Sequence, residues 1–204
     1  MRWVMVAPMN GTTNFIAWAA AAPVAVARYR SRMTAHITMP SPVGPLLLVA
    51  SDAGLVAIRF EQNRHGGDPR ASSLPLEHAS PAQARILAEA CAQLDAYFAG
   101  ARVAFDLPLD AHGTPFQQRA WSALREIPFG QTISYAELAR RTGDVRAVRA
   151  VGAANGRNPI PIIVPCHRVI GADGSLVGFG GGLERKRWLL EHEGALTEPL
   201  LFPT

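Results

Sequence analysis

A short segment at Pro165–Arg168 carries the residue types best suited to covalent chemistry, because a cysteine is followed there by a histidine and an arginine. A free thiol has a pKa of about 8.5, and a neighbouring base or cation increases the fraction present as nucleophilic thiolate. Cys166 is therefore predicted to be a nucleophile, with His167 as its base and Glu193 as a carboxylate that orients the imidazole. Adjacent side chains on an extended chain point to opposite faces, so this pair requires a tight turn after Pro165. The alternative, a buried structural cysteine, is more typical of an unbroken apolar segment.

A glycine-rich loop and a second cysteine are the other features with chemical potential. Glycines between positions 174 and 182 would let backbone amides approach a flat ligand, but the chain has neither of the glycine fingerprints that bind nucleotide phosphates. Cys91 lies among apolar residues of a predicted helix, where nothing nearby would lower its pKa, so it is expected to be inert. Two cysteines are too few for a disulfide scaffold or a four-cysteine zinc site. We expect neither a metal nor a cofactor.

Two blocks of secondary structure must position these residues. In residues 33–110, alternating apolar residues predict an antiparallel hairpin or small sheet, followed by a loop at 62–80 and one long helix. In residues 111–196, capping boxes and a cap at Asp144 predict a series of shorter helices before and after the cysteine segment. The predicted strands span 36–39, 46–50 and 55–60, and the predicted helices span 81–98, 115–126, 135–141, 145–156 and 183–193.

The helices at 135–141 and 145–156 are joined by a turn at Gly143, and such a pair is either a helix-turn-helix or a plain packing unit. Six arginines between Ser134 and Arg168 face only two acids, which predicts a phosphate-binding surface or, alternatively, a solvated helix face. Small residues on the second helix would let a duplex groove or a neighbouring helix approach closely. The arginines are Arg140, Arg141, Arg146, Arg149, Arg157 and Arg168, and the small residues are Ala150, Gly152, Ala153 and Ala154.

The charge of the chain is unevenly distributed. Its 204 residues carry a formal charge of +4 and 49% of them are hydrophobic, which excludes a disordered chain. Residues 1–32 hold four arginines and no acid, so residues 33–204 are neutral, with 16 basic and 16 acidic residues. Within that part, residues 112–193 hold 11 basic and 7 acidic residues, as expected of a domain that meets an anionic partner.

The first 32 residues are expected to form a disordered leader of doubtful function, and residues 197–204 a tail. The uncharged run at 15–27 is shorter than the ~20 apolar residues that cross a membrane. A signal peptide is one interpretation of this run, although three of the four arginines follow it. An extension upstream of a start at Met33 is the other, and we expect no membrane partner.

Five short motifs recur in order along the second half of the chain: Ile133–Tyr135, Arg149–Gly152, Asn158–Pro159, Pro165–Val169 and Trp188–Leu190. Together they resemble those of the O6-alkylguanine-DNA alkyltransferases, most closely the constitutive, stand-alone bacterial methylated-DNA–protein-cysteine methyltransferases. The resemblance is strong from Thr114 to Gly194 and looser from Met33 to Leu109. It implies a mixed α/β (α+β) fold: a small ribonuclease-H-like antiparallel sheet plus helix, then a helical domain with a winged-helix-like helix-turn-helix.

The resemblance also implies a reaction. Cys166 would accept, irreversibly and once per chain, the alkyl group of O6-methylguanine in duplex DNA, with O4-methylthymine as a second expected substrate. His167, oriented by Glu193, would draw the thiol proton through a bridging water after the nucleotide is flipped out of the duplex. Arg149 would fill the space that the nucleotide leaves.

Further residues have implied roles in support and DNA binding. Asn158 would support the cysteine turn and the thiolate. Tyr135 would press on the target phosphate and help to protonate the leaving guanine, with Lys186 nearby. The implied contacts with DNA are made by Arg146, Arg149, Arg157, Tyr135, Ala150, Gly152 and Ala153.

The implied guanine pocket depends largely on backbone groups. The carbonyls of Cys166 and Val169 would take the guanine amino group, and the amide of Gly180 would face the O6 atom. Family members often carry a tyrosine and then a residue with a side chain where this chain has Phe179 and Gly180. The backbone groups can still recognise guanine after that change, but the tyrosine hydroxyl contact is lost. The tolerance of the pocket for bulky alkyl groups is left open.

The implied partner is duplex DNA bearing O6-alkylguanine, bound by a monomer in the cytoplasm, where reducing conditions keep Cys166 free. Two other classes of protein stay open at this point. A DNA-binding protein that senses alkylation damage without repairing it would lack the acceptor cysteine. A Cys-His-Glu hydrolase would turn over repeatedly and would leave the motifs around Tyr135 and Arg149 unexplained.

Overall fold

The computed structural model describes residues 33–61 and 72–196, so the predicted leader and tail lie outside the described residues. Its first three strands occur where the apolar alternation predicts them, and they pair as an antiparallel meander. They are β1 (Thr34–Met39), β2 (Leu46–Ala50) and β3 (Leu55–Phe60). The turn between β1 and β2 uses Gly44 with a φ of 93°, a conformation that glycine adopts without strain.

A fourth strand lies in the segment predicted to be a loop. β4 (Ser73–Pro75) pairs with β1 in parallel, so the four-stranded sheet is mixed and has the order β3-β2-β1-β4. Three residues are too few to show an alternation from which a strand can be predicted. Pro75 is tolerated because β4 lies at the edge of the sheet.

One long helix, α1 (Pro81–Phe98), packs on the sheet. It begins and ends as predicted, since Ser80 and Gln83 form a reciprocal capping box and Pro81 occupies the first turn. Its buried side chains join those of the strands in one hydrophobic core. Cys91 packs at the edge of that core, and burial raises its pKa, as expected of an inert thiol.

The second part of the chain is helical and includes a two-stranded parallel sheet. Its first helix begins with the predicted capping box of Thr114 and Gln117. The next two helices form the helix-turn-helix pair, and both pack on the first. The elements are α2 (Pro115–Arg125), β5 (Ile133–Ser134), α3 (Tyr135–Arg141), α4 (Val148–Gly156), β6 (Val169–Ile170) and α5 (Leu183–His192).

The capping of α3 and the start of α4 differ from the prediction, whereas α3 spans the predicted residues. Ser134 accepts the Glu137 amide, but the Glu137 side chain binds two arginines of α3 and does not close a capping box. α4 begins at Val148 and not at 145. The Asp144 side chain accepts the Arg146 amide in a separate turn, which delays the helix and leaves α4 without a side-chain cap.

Backbone hydrogen bonds cover the free edge of β3. The Ile58 amide donates to the Pro159 carbonyl at 2.9 Å, which attaches β3 to the second part of the chain, and Leu55 bonds to Pro108 and Asp110 at the end of the first part. The edge strand is thereby covered, and one hydrophobic core runs through both parts. The N-terminal sheet is therefore held against the loop that precedes Cys166. None of the helices in residues 33–61 and 72–196 combines the length and apolar character needed to cross a membrane.

Candidate active site

Cys166 is presented by a tight turn of the backbone. Pro165 has a φ of −81° and a ψ of 65°, and the Cys166 amide donates to the Val164 carbonyl at 2.8 Å, which together define an inverse γ-turn. One turn of 3-10 helix follows over Cys166–Arg168. The chain thus makes the turn that a Cys-His pair requires, and it buries both Cys166 and His167.

Asn158 closes the loop that leads to this turn. Its side-chain amide donates to the Val164 carbonyl at 2.7 Å, and its side-chain oxygen accepts the Ile160 amide at 3.0 Å. Between these contacts lies Ile162, which is buried with a φ of 76°, a strained conformation for a β-branched residue. Asn158 bridges the two ends of the strained segment and so supports the turn that carries the cysteine.

The environment of the Cys166 thiol keeps it protonated. The residue is only 4% exposed, and its burial raises the thiol pKa to about 11. A hydrogen bond with Asn158 and the positive charge of Lys186 act in the opposite direction, but their effects are smaller. A nucleophilic role at neutral pH therefore requires a base that removes the thiol proton.

The Glu193 carboxylate is buried just beyond α5 and accepts hydrogen bonds from four residues. The donors are His167 Nε2 (2.9 Å), Arg168 Nε and Nη2 (2.8 and 2.9 Å), the Tyr97 hydroxyl (2.8 Å) and the Gly130 amide (3.3 Å). Burial would raise the pKa of this carboxyl, but its contacts with His167 and Arg168 outweigh burial and lower the pKa to about 2. These contacts also compensate a negative charge that the C-terminal end of a helix disfavours.

The charge of Glu193 determines the tautomer of His167. An ionised carboxylate can only accept, so Nε2 carries the ring hydrogen, and burial lowers the pKa of His167, which keeps the ring neutral. The other nitrogen, Nδ1, then has a free lone pair, and it is buried without a hydrogen-bond partner in the described structure. His167 is thus a neutral imidazole, oriented by Glu193, with a nitrogen that is able to accept a proton. This nitrogen makes no direct hydrogen bond with the Cys166 sulfur.

Lys186 and Tyr135 hold the glycine-rich loop near the cysteine. Lys186 Nζ donates to the carbonyls of Val169 and Val177, at 2.6 Å each, and the Tyr135 hydroxyl lies 3.3 Å from the Val177 carbonyl. Burial lowers the pKa of Lys186 to about 8 and raises that of Tyr135, so the tyrosine is neutral and can donate a hydrogen.

A cavity of about 200 Å³ opens beside Cys166. This volume is below the ~300–1,000 Å³ of clefts for larger ligands, so the cavity suits a single base or its substituent. Of the predicted pocket residues, Phe179 and Gly180 line it, whereas Val169 and Lys186 lie outside its lining. The lining also includes Asn155, Arg157 and Asn158, and Arg59 and Phe60 from β3. The described residues contain no group of three or more histidine, cysteine or acidic side chains that could hold a metal ion.

The exposed face of α4 carries most of the predicted DNA contacts. Arg149, Ala150 and Ala153 are exposed, and Gly152 lies against the Tyr135 ring, where an added Cβ would be 3.8 Å away. The small residues thus leave the backbone of α4 accessible next to Arg149. This is the surface that a duplex groove can approach.

The six arginines predicted as phosphate ligands divide into two groups. The guanidinium groups of Arg146, Arg149 and Arg157 are solvent-facing and form no hydrogen bond or ion pair with other described residues. Arg140 and Arg141 bind Glu137, and Arg168 is buried against Glu193. The prediction is wrong for Arg168, because its sequence position beside the exposed cluster does not reveal that the side chain turns inward.

Three residues of the site were not predicted in these roles. Tyr97 reaches Glu193 from α1 across 96 positions of sequence, and Arg168 donates to the Ile127 carbonyl at 2.6 Å as well as to Glu193. The Asn155 side chain lies 3.4 Å from the Cys166 carbonyl. Only the position of Arg168 directly after the Cys-His pair offered a local signal, since the other contacts depend on the tertiary fold.

Comparison with known proteins assigns the chain to a family. Residues 35–111 match the ribonuclease-like domain of 6-O-methylguanine DNA methyltransferase, and residues 115–195 match the DNA-binding domain of the same family. A relative from Mycobacterium leprae, methylated-DNA–protein-cysteine methyltransferase, is 50% identical over 161 residues, covering 76% of this chain and 90% of the relative. A relative of the same name from Methanosarcina acetivorans is 46% identical over 155 residues, covering 76% of this chain and 95% of its own.

Solved structures agree with these matches. The crystal structure of the Mycobacterium tuberculosis O6-methylguanine methyltransferase is 47% identical, with a TM-score of 0.70, and covers 82% of this chain and 96% of its own. A structure of the Mycobacterium tuberculosis protein OGT in complex with DNA is 48% identical, also with a TM-score of 0.70, and covers 79% of this chain and 93% of its own. The chain therefore belongs to the 6-O-methylguanine DNA methyltransferase family, the methylated-DNA–protein-cysteine methyltransferases.

Proposed function

We propose that this chain repairs O6-alkylguanine in duplex DNA by transferring the alkyl group, once and irreversibly, to its own Cys166. The observation that carries the proposal is a buried thiol next to a neutral histidine whose free nitrogen is unpartnered in the described structure, beside a cavity of single-base size. O4-methylthymine is expected to be a second substrate. All of the residues proposed to take part in the reaction belong to one chain, so we expect the protein to be a monomer. We expect it to act in the cytoplasm, where reducing conditions keep the Cys166 thiol free.

The reaction needs one proton transfer and one substitution. The thiol proton of Cys166 passes through water to Nδ1 of His167, and the Glu193 carboxylate stabilises the resulting imidazolium. The thiolate attacks the alkyl carbon in line, so that a carbon–sulfur bond forms as the carbon–O6 bond breaks and its electron pair stays on guanine. The departing guanine takes a proton from the Tyr135 hydroxyl, near Lys186. His167 then releases the thiol proton to solvent and Tyr135 regains one from solvent, so that the proton lost by the thiol is balanced by the one that guanine gains.

The product explains why the chain would act once. A thioether is a poor leaving group at neutral pH, and among the residues that the structure describes, no second cysteine, serine or histidine lines the cavity beside Cys166 to displace the alkyl group. The chain is then a single-use acceptor. A hydrolase built on the same three residues would instead release its product and turn over repeatedly.

DNA binding is expected to use α4. The unpaired guanidinium groups of Arg146 and Arg157 would contact phosphates, while the small residues between them let the helix enter the minor groove. Because an alkylated base is unreachable inside the stack, the nucleotide must be flipped at a cost of a few kcal/mol. Arg149, exposed at the start of α4, would occupy the vacated position.

The function is tested by the fate of the damaged base. A duplex with one O6-methylguanine is incubated with an equal amount of the chain, and the nucleosides are then separated by chromatography. We expect unmodified guanine to appear in proportion to the protein added. An unchanged lesion, or an abasic site in its place, would contradict direct reversal.

The role of Arg149 is tested in the same assay. Replacing Arg149 with alanine is expected to slow single-turnover transfer roughly tenfold or more, because an inserted side chain offsets part of the few kcal/mol that flipping costs. Arg140→Ala is the matched control, since Arg140 is committed to Glu137 on the neighbouring helix. Equal rates for the Arg149 variant and the unaltered chain would refute the insertion role.

The pH dependence of transfer distinguishes a histidine base from a free thiolate. Because the pKa of His167 lies below its usual value, the base is available at neutral pH, and the rate should fall only as acid protonates the ring. Above about pH 8 the loss of the Lys186 charge weakens support for the thiolate, so no further rise is expected. Single-turnover rates between about pH 5.5 and about pH 9 provide the measurement. A rise of about tenfold per pH unit across that range would indicate direct ionisation of the thiol instead.

A further inference from the structure

Arg59 is a half-buried cation that no acidic group neutralises in the described structure. It lies next to the last residue of β3, and its Nε atom is buried without a hydrogen-bond partner. Burial lowers the pKa of Arg59, and no carboxylate acts in the opposite direction. A charge removed from water without a partner is costly, so this side chain is suited to an anionic ligand that the free protein lacks.

The fold holds the end of β3 against the two loops that flank the candidate nucleophile. The Ile58 amide donates to the Pro159 carbonyl at 2.9 Å, which attaches the strand to the loop before Cys166. Phe60 packs on Phe179 of the glycine-rich loop, with ring centroids 5.7 Å apart. The residue between these two anchors, Arg59, therefore has a defined position.

That position is in the wall of the reactive cavity. Arg59 and Arg157 line the same cavity as Cys166, and no aspartate or glutamate of residues 33–61 and 72–196 is among its lining residues. Val169, Lys186 and Tyr135 lie outside this lining, whereas Cys166 and Gly180, the other groups expected to contact the base, line the cavity together with Arg59. The cavity that is proposed to receive the flipped nucleotide therefore has two guanidinium groups in its wall.

We propose that Arg59 is a specificity-determining residue that donates hydrogen bonds to an anionic group of the flipped nucleotide, either a phosphate oxygen or an acidic substituent on O6. A guanidinium fork binds both phosphate and carboxylate oxygens in a two-point geometry. The proposal rests on the proposed function, and it gives the N-terminal sheet a direct part in choosing the substrate.

The test compares Arg59→Met, which keeps an unbranched apolar stem and removes the charged guanidinium, with Arg59→Lys, which keeps the charge. Arg85→Met is the matched control, because it removes an exposed charge from α1 of the same part of the chain. Single-turnover transfer is measured on an O6-methylguanine duplex, on an O6-carboxymethylguanine duplex and on O6-methylguanine as the free base, which has no phosphate.

Two results support the proposal and identify the anion. If Arg59 binds a phosphate, Arg59→Met should slow both duplexes about tenfold or more and leave the free base unchanged. If it binds an acidic substituent, the loss should be confined to the carboxymethyl duplex. In either case Arg59→Lys should retain part of the rate and Arg85→Met should match the unaltered chain.

Two other results would overturn it. Rates for Arg59→Met that equal those of Arg85→Met on every substrate would show that the charge contacts no substrate. An equal loss on the free base and both duplexes would show a general disturbance of the cavity. The affinity of each duplex for the same variants in a Cys166→Ala background gives a second readout that needs no transfer. Failure of the unaltered chain to transfer methyl would instead count against the proposed function.

Discussion

Replacing Cys166 with alanine is expected to abolish alkyl transfer and to leave DNA binding intact. The substitution removes the sulfur that attacks the alkyl carbon, and no other thiol lines the cavity. The exposed Arg146, Arg149 and Arg157 are unaffected, so the affinity for duplex DNA should stay close to that of the unaltered chain. Transfer is measured with labelled O6-methylguanine duplex, and affinity with the same duplex under binding conditions.

The second cysteine provides the matched control. Cys91 packs at the edge of the hydrophobic core within α1, and burial raises its pKa, so Cys91→Ala should transfer alkyl groups at an unchanged rate. Residual transfer by Cys166→Ala, or loss of transfer by Cys91→Ala, would contradict the assignment. A loss of DNA binding by Cys166→Ala would show that the thiol also supports the DNA-binding surface.

Replacing Glu193 with glutamine is expected to have the second largest effect. The amide has nearly the same shape but no charge, so His167 loses the group that stabilises its imidazolium and Arg168 is left as a buried, unpaired cation. A positioned acid–base group contributes roughly 10²–10⁴-fold in rate, and we expect a loss of that order. Breaking a buried ion pair costs about 3–5 kcal/mol, so the free energy of unfolding should fall by a similar amount.

Stability and rate must be measured separately for this variant. Glu191→Gln is the control, because Glu191 is exposed on α5. The pKa of Glu193 is lowered to about 2, so its charge stabilises the folded chain above the usual pKa of a carboxyl and this stabilisation is lost as the pH falls toward 2. The difference in unfolding free energy between the unaltered chain and Glu193→Gln should therefore shrink in acid. A constant difference at all pH values would show that the effect is steric.

The parts of the fold that depend on neighbouring residues could be predicted from sequence. The capping boxes at Ser80 and Thr114 give the correct helix starts, since both partners lie within one turn. The same reasoning failed at Asp144, where a local turn competes with the helix and delays α4 to Val148. Strand β4 could not be predicted because it pairs with β1, whose residues lie about 40 positions earlier in the sequence, as the contact between His36 and Ser73 shows.

The candidate site divides in a similar way. The predicted association of Cys166, His167 and Glu193 is consistent with the hydrogen bond from His167 to Glu193 and with the turn at the cysteine. The hydrogen bond from Tyr97 to the Glu193 carboxylate could not be predicted from sequence, because Tyr97 lies in a distant part of the chain. The inward turn of Arg168 follows from the buried position of Glu193, which composition and spacing do not reveal.

The central claim, that Cys166 is a single-use alkyl acceptor, is tested most directly by mass spectrometry of the unaltered chain. The protein is incubated with an excess of O6-methylguanine duplex, and both the intact chain and its proteolytic peptides are weighed over time. We predict a gain of one methyl group per chain, located on the peptide that contains Cys166, with no further reaction. Methyl on another peptide, no gain in mass, or loss of the lesion beyond one equivalent would contradict the account.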